Sequence, residues 1–173
     1  MNYSPERNLD RNMLARLSTL DFITRKENII VNGASGVGKS HLAQALGNQA
    51  CLSGLKTLYC ITARLFKKLK LSRVDGTYLK ELEKLIRTDL LILDDFGLQA
   101  FDNQDRETLM DIIDDRHGRK STIISSQIPV SAWYEIIGGE GTIADAILDR
   151  IVNSSHRIDL KGLSLRKGIL KQE

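Results

Sequence analysis

The sequence has no apolar run near the ~18 residues needed to span a bilayer. Its opening, MNYSPERNLD, lacks the apolar core of a secretory signal. Nothing suggests export, so a cytoplasmic setting without membrane association is expected. Cysteine and histidine are scarce, with two and three copies in 173 residues. Cys51 is expected on a core helix and Cys60 on a strand, both as buried reduced thiols rather than a disulfide or metal pair. No zinc-ligand spacing is present. Internal repeats, low-complexity tracts and domain linkers are also missing. What remains is ordinary globular composition, 42% hydrophobic and 27% charged, enough for one domain with a real core.

The net charge of +3 hints only weakly at an anionic partner. Its distribution says more. ARLFKKLKLSR carries Arg64, Lys67, Lys68, Lys70 and Arg73 and no acid, whereas DNQDRETLMDIIDD, from Asp102 to Asp115, is strongly acidic. A surface polarised by sign is expected.

Hydrophobic spacing gives an alternation of strands and helices. Ser4-Pro5 reads as a helix start, with Leu9, Met13, Leu14 and Leu17 at helical spacing. Strands are expected at Ile29 to Val31, Thr57 to Ile61, Leu90 to Asp95, Ser121 to Ser126 and Arg157 to Leu160. Helices are expected at Ser40 to Ala50, Ala63 to Leu71, Tyr78 to Arg87, Arg106 to Arg116, Ala132 to Ile137 and Ile143 to Val152. Short connections favour an α/β fold: a five-stranded parallel sheet with helices on both faces. Residues 1–27 form a helical lead-in, 28–160 the sheet core and 161–173 a tail, all in a single domain.

Within this pattern, Gly33-Ala34-Ser35-Gly36-Val37-Gly38-Lys39-Ser40 matches G-x-x-x-x-G-K-[ST] at every fixed position. Its glycines permit turns that a β-carbon would obstruct. Successive N–H groups can then face inward toward phosphate oxygens, and the following helix adds its positive end. Lys39 would reach the β- and γ-phosphates of ATP, and the Ser40 hydroxyl would hold Mg²⁺. A chance glycine loop is the bland alternative, but a strand precedes this loop and a helix follows, as the motif requires.

LLILDD, from Leu90 to Asp95, supplies a second acidic site. A parallel strand beside the first would end at the same sheet edge, where ligands bind. Asp94 would hold Mg²⁺. Asp95 would orient or deprotonate an attacking water. Many motor ATPases carry Glu there, and the shorter Asp suits slow hydrolysis.

GASGVGKSHLAQALGNQAC followed by LLILDDFG resembles the IstB/DnaC branch of the AAA+ ATPases, which holds helicase loaders and transposition helpers. His41-Leu42-Ala43 is typical of that branch, with His41 closing the nucleotide-binding stretch. SSQIPVSAWYEIIGG and AILDRIVNSSHRIDLKGLSLRK resemble IstB specifically. The likeness runs from about Asn8 to Lys167. It implies a P-loop NTPase of the AAA+ ASCE type without a C-terminal lid domain. Gln127 takes the position of the first sensor, bridging water and γ-phosphate. Arg150 takes that of an arginine finger acting on a neighbour's ATP, with a helix-end pairing to Asp145 or Asp149 as the plain alternative. Arg166 takes that of a second sensor. Relatives have a further N-terminal region that binds a partner or DNA, so the chain is read as a shortened one lacking it. Adenine contacts are placed near Tyr3 to Asn8 by position only.

The expected function is an ATPase that oligomerises on double-stranded DNA with ATP at subunit interfaces and helps a transposase choose or remodel its target. Arg64, Lys67, Lys68, Lys70 and Arg73 are the candidate phosphate contacts. A replicative helicase loader is the rival within the branch. An ATP-binding switch with little hydrolysis and a small-molecule P-loop kinase are the alternatives of other classes.

Overall fold

The computed structural model describes residues 10–138, 141–162 and 164. The expected helix start at Ser4-Pro5, the adenine candidates Tyr3 to Asn8 and the second-sensor candidate Arg166 lie outside them.

Five strands form one parallel sheet: β1 (Asn28–Gly33), β2 (Thr57–Ile61), β3 (Leu90–Asp94), β4 (Ser121–Ser126) and β5 (Ser155–Leu160). Their order is β2-β3-β4-β1-β5, every pairing parallel. β3 and β4 are buried along their whole length, which explains their continuous apolar runs. The edge strands β2 and β5 are only partly buried. β4 lies between β1 and β3, so LLILDD does not run directly beside the first strand as expected. The two nonetheless end at the same edge because all the strands are parallel.

Helices cover both faces. On one, α1 (Arg11–Ser18), the short α2 (Asp21–Thr24) and α3 (Lys39–Leu52) bury Ile29, Val31, Leu90, Ile92 and Ile123. On the other, α4 (Thr62–Val74), α5 (Tyr78–Arg87), α6 (Asn103–Arg116), α7 (Trp133–Ile137) and α8 (Thr142–Val152) cover Ile30, Leu91, Leu93 and Ile124. Gly47 lets α3 approach closely: a β-carbon there would sit 2.7 Å from the Ile92 side chain. Among the described residues, no helix is long and apolar enough to cross a membrane.

Several expectations are corrected. Cys51 is exposed, because it falls one residue off the buried stripe of α3, Ala43, Leu46, Gly47 and Ala50; Cys60 is partly buried. α6 begins at Asn103, earlier than expected, on a capping box between Asp102 and Asp105. The charge does not segregate by surface. α6 packs beside α4, and Lys70 bridges to Asp102 and Asp105 at 2.7 and 2.9 Å.

Candidate functional site

The C-terminal edge of the sheet gathers most of the expected site. β1 ends at Gly33, and the loop from Ala34 to Gly38 delivers the chain into α3 at Lys39. Gly33 has φ 153°, and a β-carbon there would lie 2.5 Å from the Leu160 carbonyl oxygen. Gly38 caps α3 at φ 102°, a conformation that costs any side chain with a β-carbon. Ser35 and Ala34 face solvent, whereas Val37 anchors the loop in the core. Ser164, just past β5, lies against Gly36. The start of the C-terminal tail therefore touches the cradle. Lys39 is buried to 6% exposure, its Nζ donating to the Ala34 carbonyl at 2.9 Å. The ammonium is thus held inside the loop it would share with phosphate. His41 points outward from the first turn of α3.

Asp94 ends β3 with only 2% exposure. Such a carboxylate stays ionised only if donors replace water. Two hydroxyls do so, with Ser125 on β4 donating to Oδ1 and Tyr59 on β2 donating to Oδ2, and Ser40 stands close by on α3. Burial pushes the Asp94 carboxyl up. The hydroxyls of Ser125, Tyr59 and Ser40 and the Asp95 backbone outweigh it, leaving the group below the usual carboxylate range. Ser40 and Asp94 are thus neighbours. An ionised carboxylate beside a hydroxyl is a hard-oxygen pair that fits Mg²⁺, which takes few protein ligands and keeps water and phosphate for the rest. No cluster of three or more His, Cys, Asp or Glu able to hold a metal exists among the described residues.

Asp95 has left-handed backbone geometry, φ 54°. Its neighbours fix that shape. The Asp94 carbonyl accepts from Thr62 Oγ1 at 2.7 Å, and the Phe96 N–H donates to the Ser125 carbonyl at 2.9 Å. Ser126 Oγ then donates to the Phe96 carbonyl at 2.6 Å. A non-glycine residue held in this region is the kind of strain found at functional sites. Asp95 lines a cleft of about 370 Å³ together with Arg64, Lys67 and Lys70.

Gln127 is the first residue past β4, whose last residue Ser126 pairs with Asn32, so it lies at the same edge of the sheet as the cradle. Arg150 stands elsewhere. β5 starts at Ser155, opposite Asn28, while the cradle starts at Gly33, opposite Leu160. Arg150, five residues before β5, therefore sits at the N-terminal edge of the sheet. The length of β1 alone separates the two edges by roughly 16 Å. Its Nε is 2.8 Å from Asp114 on α6, and neither Asp145 nor Asp149 is its partner.

The five basic residues of α4 divide. Lys68 pairs with Glu81 at 2.7 Å, Lys70 is tied to α6, and Arg73 stacks 3.7 Å from the Tyr78 ring centroid. Arg64 and Lys67 are exposed and have no ion-pair partner among the described residues. Sequence reasoning missed Tyr59 and Ser125 as partners of Asp94. Ser125 is readable as a polar residue at the end of a buried strand. Tyr59 becomes visible only once strand register is known.

Comparison with known proteins agrees with this geometry. The family model described as IstB-like ATP binding protein matches residues 1–172. A Sinorhizobium fredii protein, y4pL, named as an insertion sequence ATP-binding protein, is 51% identical over 96% of this chain and 68% of its own length. A second from the same organism, y4uH, is 42% identical over 93% of this chain and 64% of its own. The chain thus spans about two thirds of the length of these relatives. Among solved structures, the DnaC helicase loader superposes with TM-score 0.75 at 22% identity, covering 92% of this chain and 94% of that one. That likeness shows the fold. The chain belongs to the family of IstB-like ATP binding proteins.

Proposed function

We propose that the chain is an ATPase that assembles on double-stranded DNA with ATP between subunits and assists the transposase of an insertion sequence. The observation that carries this reading is the closeness of Ser40, from the cradle, to the ionised Asp94 of β3. Two segments far apart in sequence converge where a triphosphate on the cradle would present its β- and γ-oxygens. In this reading the backbone amides from Ala34 to Ser40 bind the phosphates and Lys39 neutralises the γ-phosphate. Ser40 and Asp94 hold Mg²⁺, which supplies further neutralisation of phosphate charge. Asp95 takes the proton of the attacking water while Gln127 orients that water. Arg150 stands too far from its own cradle to serve it, so it would serve a neighbour's.

DNA contact falls to Arg64 and Lys67. Both line the cleft that Asp95 shares, so phosphate binding there would be sensed at the hydrolytic site. The names of the relatives favour a transposase as partner over a replicative helicase. The DnaC likeness concerns the fold and does not decide between them.

The test is sedimentation with a non-hydrolysable ATP analogue, ADP or no nucleotide, each with and without duplex DNA, alongside phosphate release. Larger particles with the analogue on DNA are expected, and Lys39→Ala abolishes them. Asp95→Asn keeps binding and assembly but lowers phosphate release by about a hundredfold or more. Asn tolerates left-handed geometry as Asp does, so this change removes charge without adding backbone strain. Unaltered turnover in Asp95→Asn, or particle mass indifferent to nucleotide, would overturn the reading.

A further inference from the structure

Tyr59 has no assigned task in the reading above, yet its phenol is one of the donors that hold Asp94. Its placement follows from register. Tyr59 pairs with Ile92 and Ile61 pairs with Asp94, so Tyr59 is the diagonal neighbour of Asp94 across two parallel strands. An aromatic side chain spans such a diagonal. β2 is an edge strand and Tyr59 is 37% exposed, so its hydroxyl could instead be hydrated. It turns inward to Asp94 Oδ2, with Gln44 of α3 close to the same phenol. Ser125 meanwhile binds Oδ1. One fixed donor on each oxygen prevents the carboxylate from turning about its terminal torsion, which is otherwise soft.

We propose that Tyr59 is a positioning residue of the nucleotide site. The Tyr59 phenol, bonded to Oδ2 as Ser125 is to Oδ1, holds the Asp94 carboxylate in the orientation that faces Ser40, and so sets the affinity of the site for Mg²⁺ with ATP. This rests on the ATP reading of the preceding subsection. Partners behind a metal ligand typically account for 10–100-fold in metal affinity. Without the phenol, Asp94 Oδ2 loses its donor in a buried setting, and orienting the carboxylate falls to the metal itself. Lys39 and the loop amides do not depend on Tyr59, so binding of nucleotide without metal stays as it is.

The experiment is fluorescence titration of the full chain with an ATP analogue labelled on its ribose, in EDTA and across a Mg²⁺ series. In Tyr59→Phe the Mg²⁺ concentration giving half of the binding enhancement rises about tenfold. Affinity in EDTA stays within about twofold of wild type, because the cradle is untouched. An unmoved midpoint in Tyr59→Phe overturns the proposal. So does an equal loss of affinity with and without Mg²⁺, which would mark a purely structural role. A wild-type chain that binds no nucleotide under either condition overturns the ATP reading and this proposal together, an outcome distinct from the first two.

Discussion

Arg116 is the largest charged side chain inside the protein, 1% exposed at the end of α6. Among the described residues no carboxylate forms an ion pair with it, Asp89 acting only from a distance. Its guanidinium donates instead to the carbonyls of Leu85, Thr88 and Ser121 and to Thr122 Oγ1. Burial pulls its pKa down to about 10. The residue ties the end of α5 and the loop before β3 to the start of β4. Removing it leaves buried carbonyls unpaired at about 1–3 kcal/mol each, offset in part by the desolvation that a charge no longer incurs. Arg116→Met should lower unfolding free energy by about 3 kcal/mol in urea titration, and Arg116→Lys should not restore it, since a compact ammonium with three donors lacks the planar fork that reaches all four acceptors. The sequence offered no sign of this role, because Arg116 lies in a polar stretch that reads as helix surface. The cradle residues were legible for the opposite reason. Their chemistry is local, and Gly33, Gly36, Gly38, Lys39 and Ser40 carry it within one loop.

At the scale of elements, β2, β4 and α5 lie where hydrophobic spacing placed them. Their periods are unbroken and turn residues bound them. The misplaced boundaries have physical causes. Asn103, Gln104 and Asp105 begin α6 without apolar residues, so only the Asp102–Asp105 capping box could have announced them. α4 runs on to Val74, which is 87% exposed and gives no periodic signal. The pairing of basic α4 with acidic α6 is a tertiary fact that no local pattern reveals, and it narrows the proposed DNA contact to Arg64 and Lys67. Neutralising Arg64 and Lys67 together should weaken duplex binding and flatten the salt dependence by roughly two charge units, about 0.9 in slope for each phosphate contact. Lys68→Ala should leave the slope unchanged, because Glu81 already holds that ammonium. Binding measured by anisotropy between low and moderate salt checks both.

At the scale of the whole molecule, the two edges of the sheet carry different equipment. The cradle, Asp94, Asp95 and Gln127 share one edge, and Arg150 stands near the other, paired with Asp114. A shared site makes a prediction that a self-contained one does not. Lys39→Ala and Arg150→Ala should each be inactive alone, yet a mixture should recover part of the phosphate release, since some junctions join an intact lysine to an intact arginine. A mixture as silent as its parts would place the arginine's role within its own copy. Having unlike edges also gives any chain of copies a direction. In an open row of n copies only n−1 junctions are complete: one terminal copy shows a bare cradle and the other an unmatched guanidinium. Turnover per copy would then climb with row length and level off, so short and long rows of the same protein would work at different specific rates.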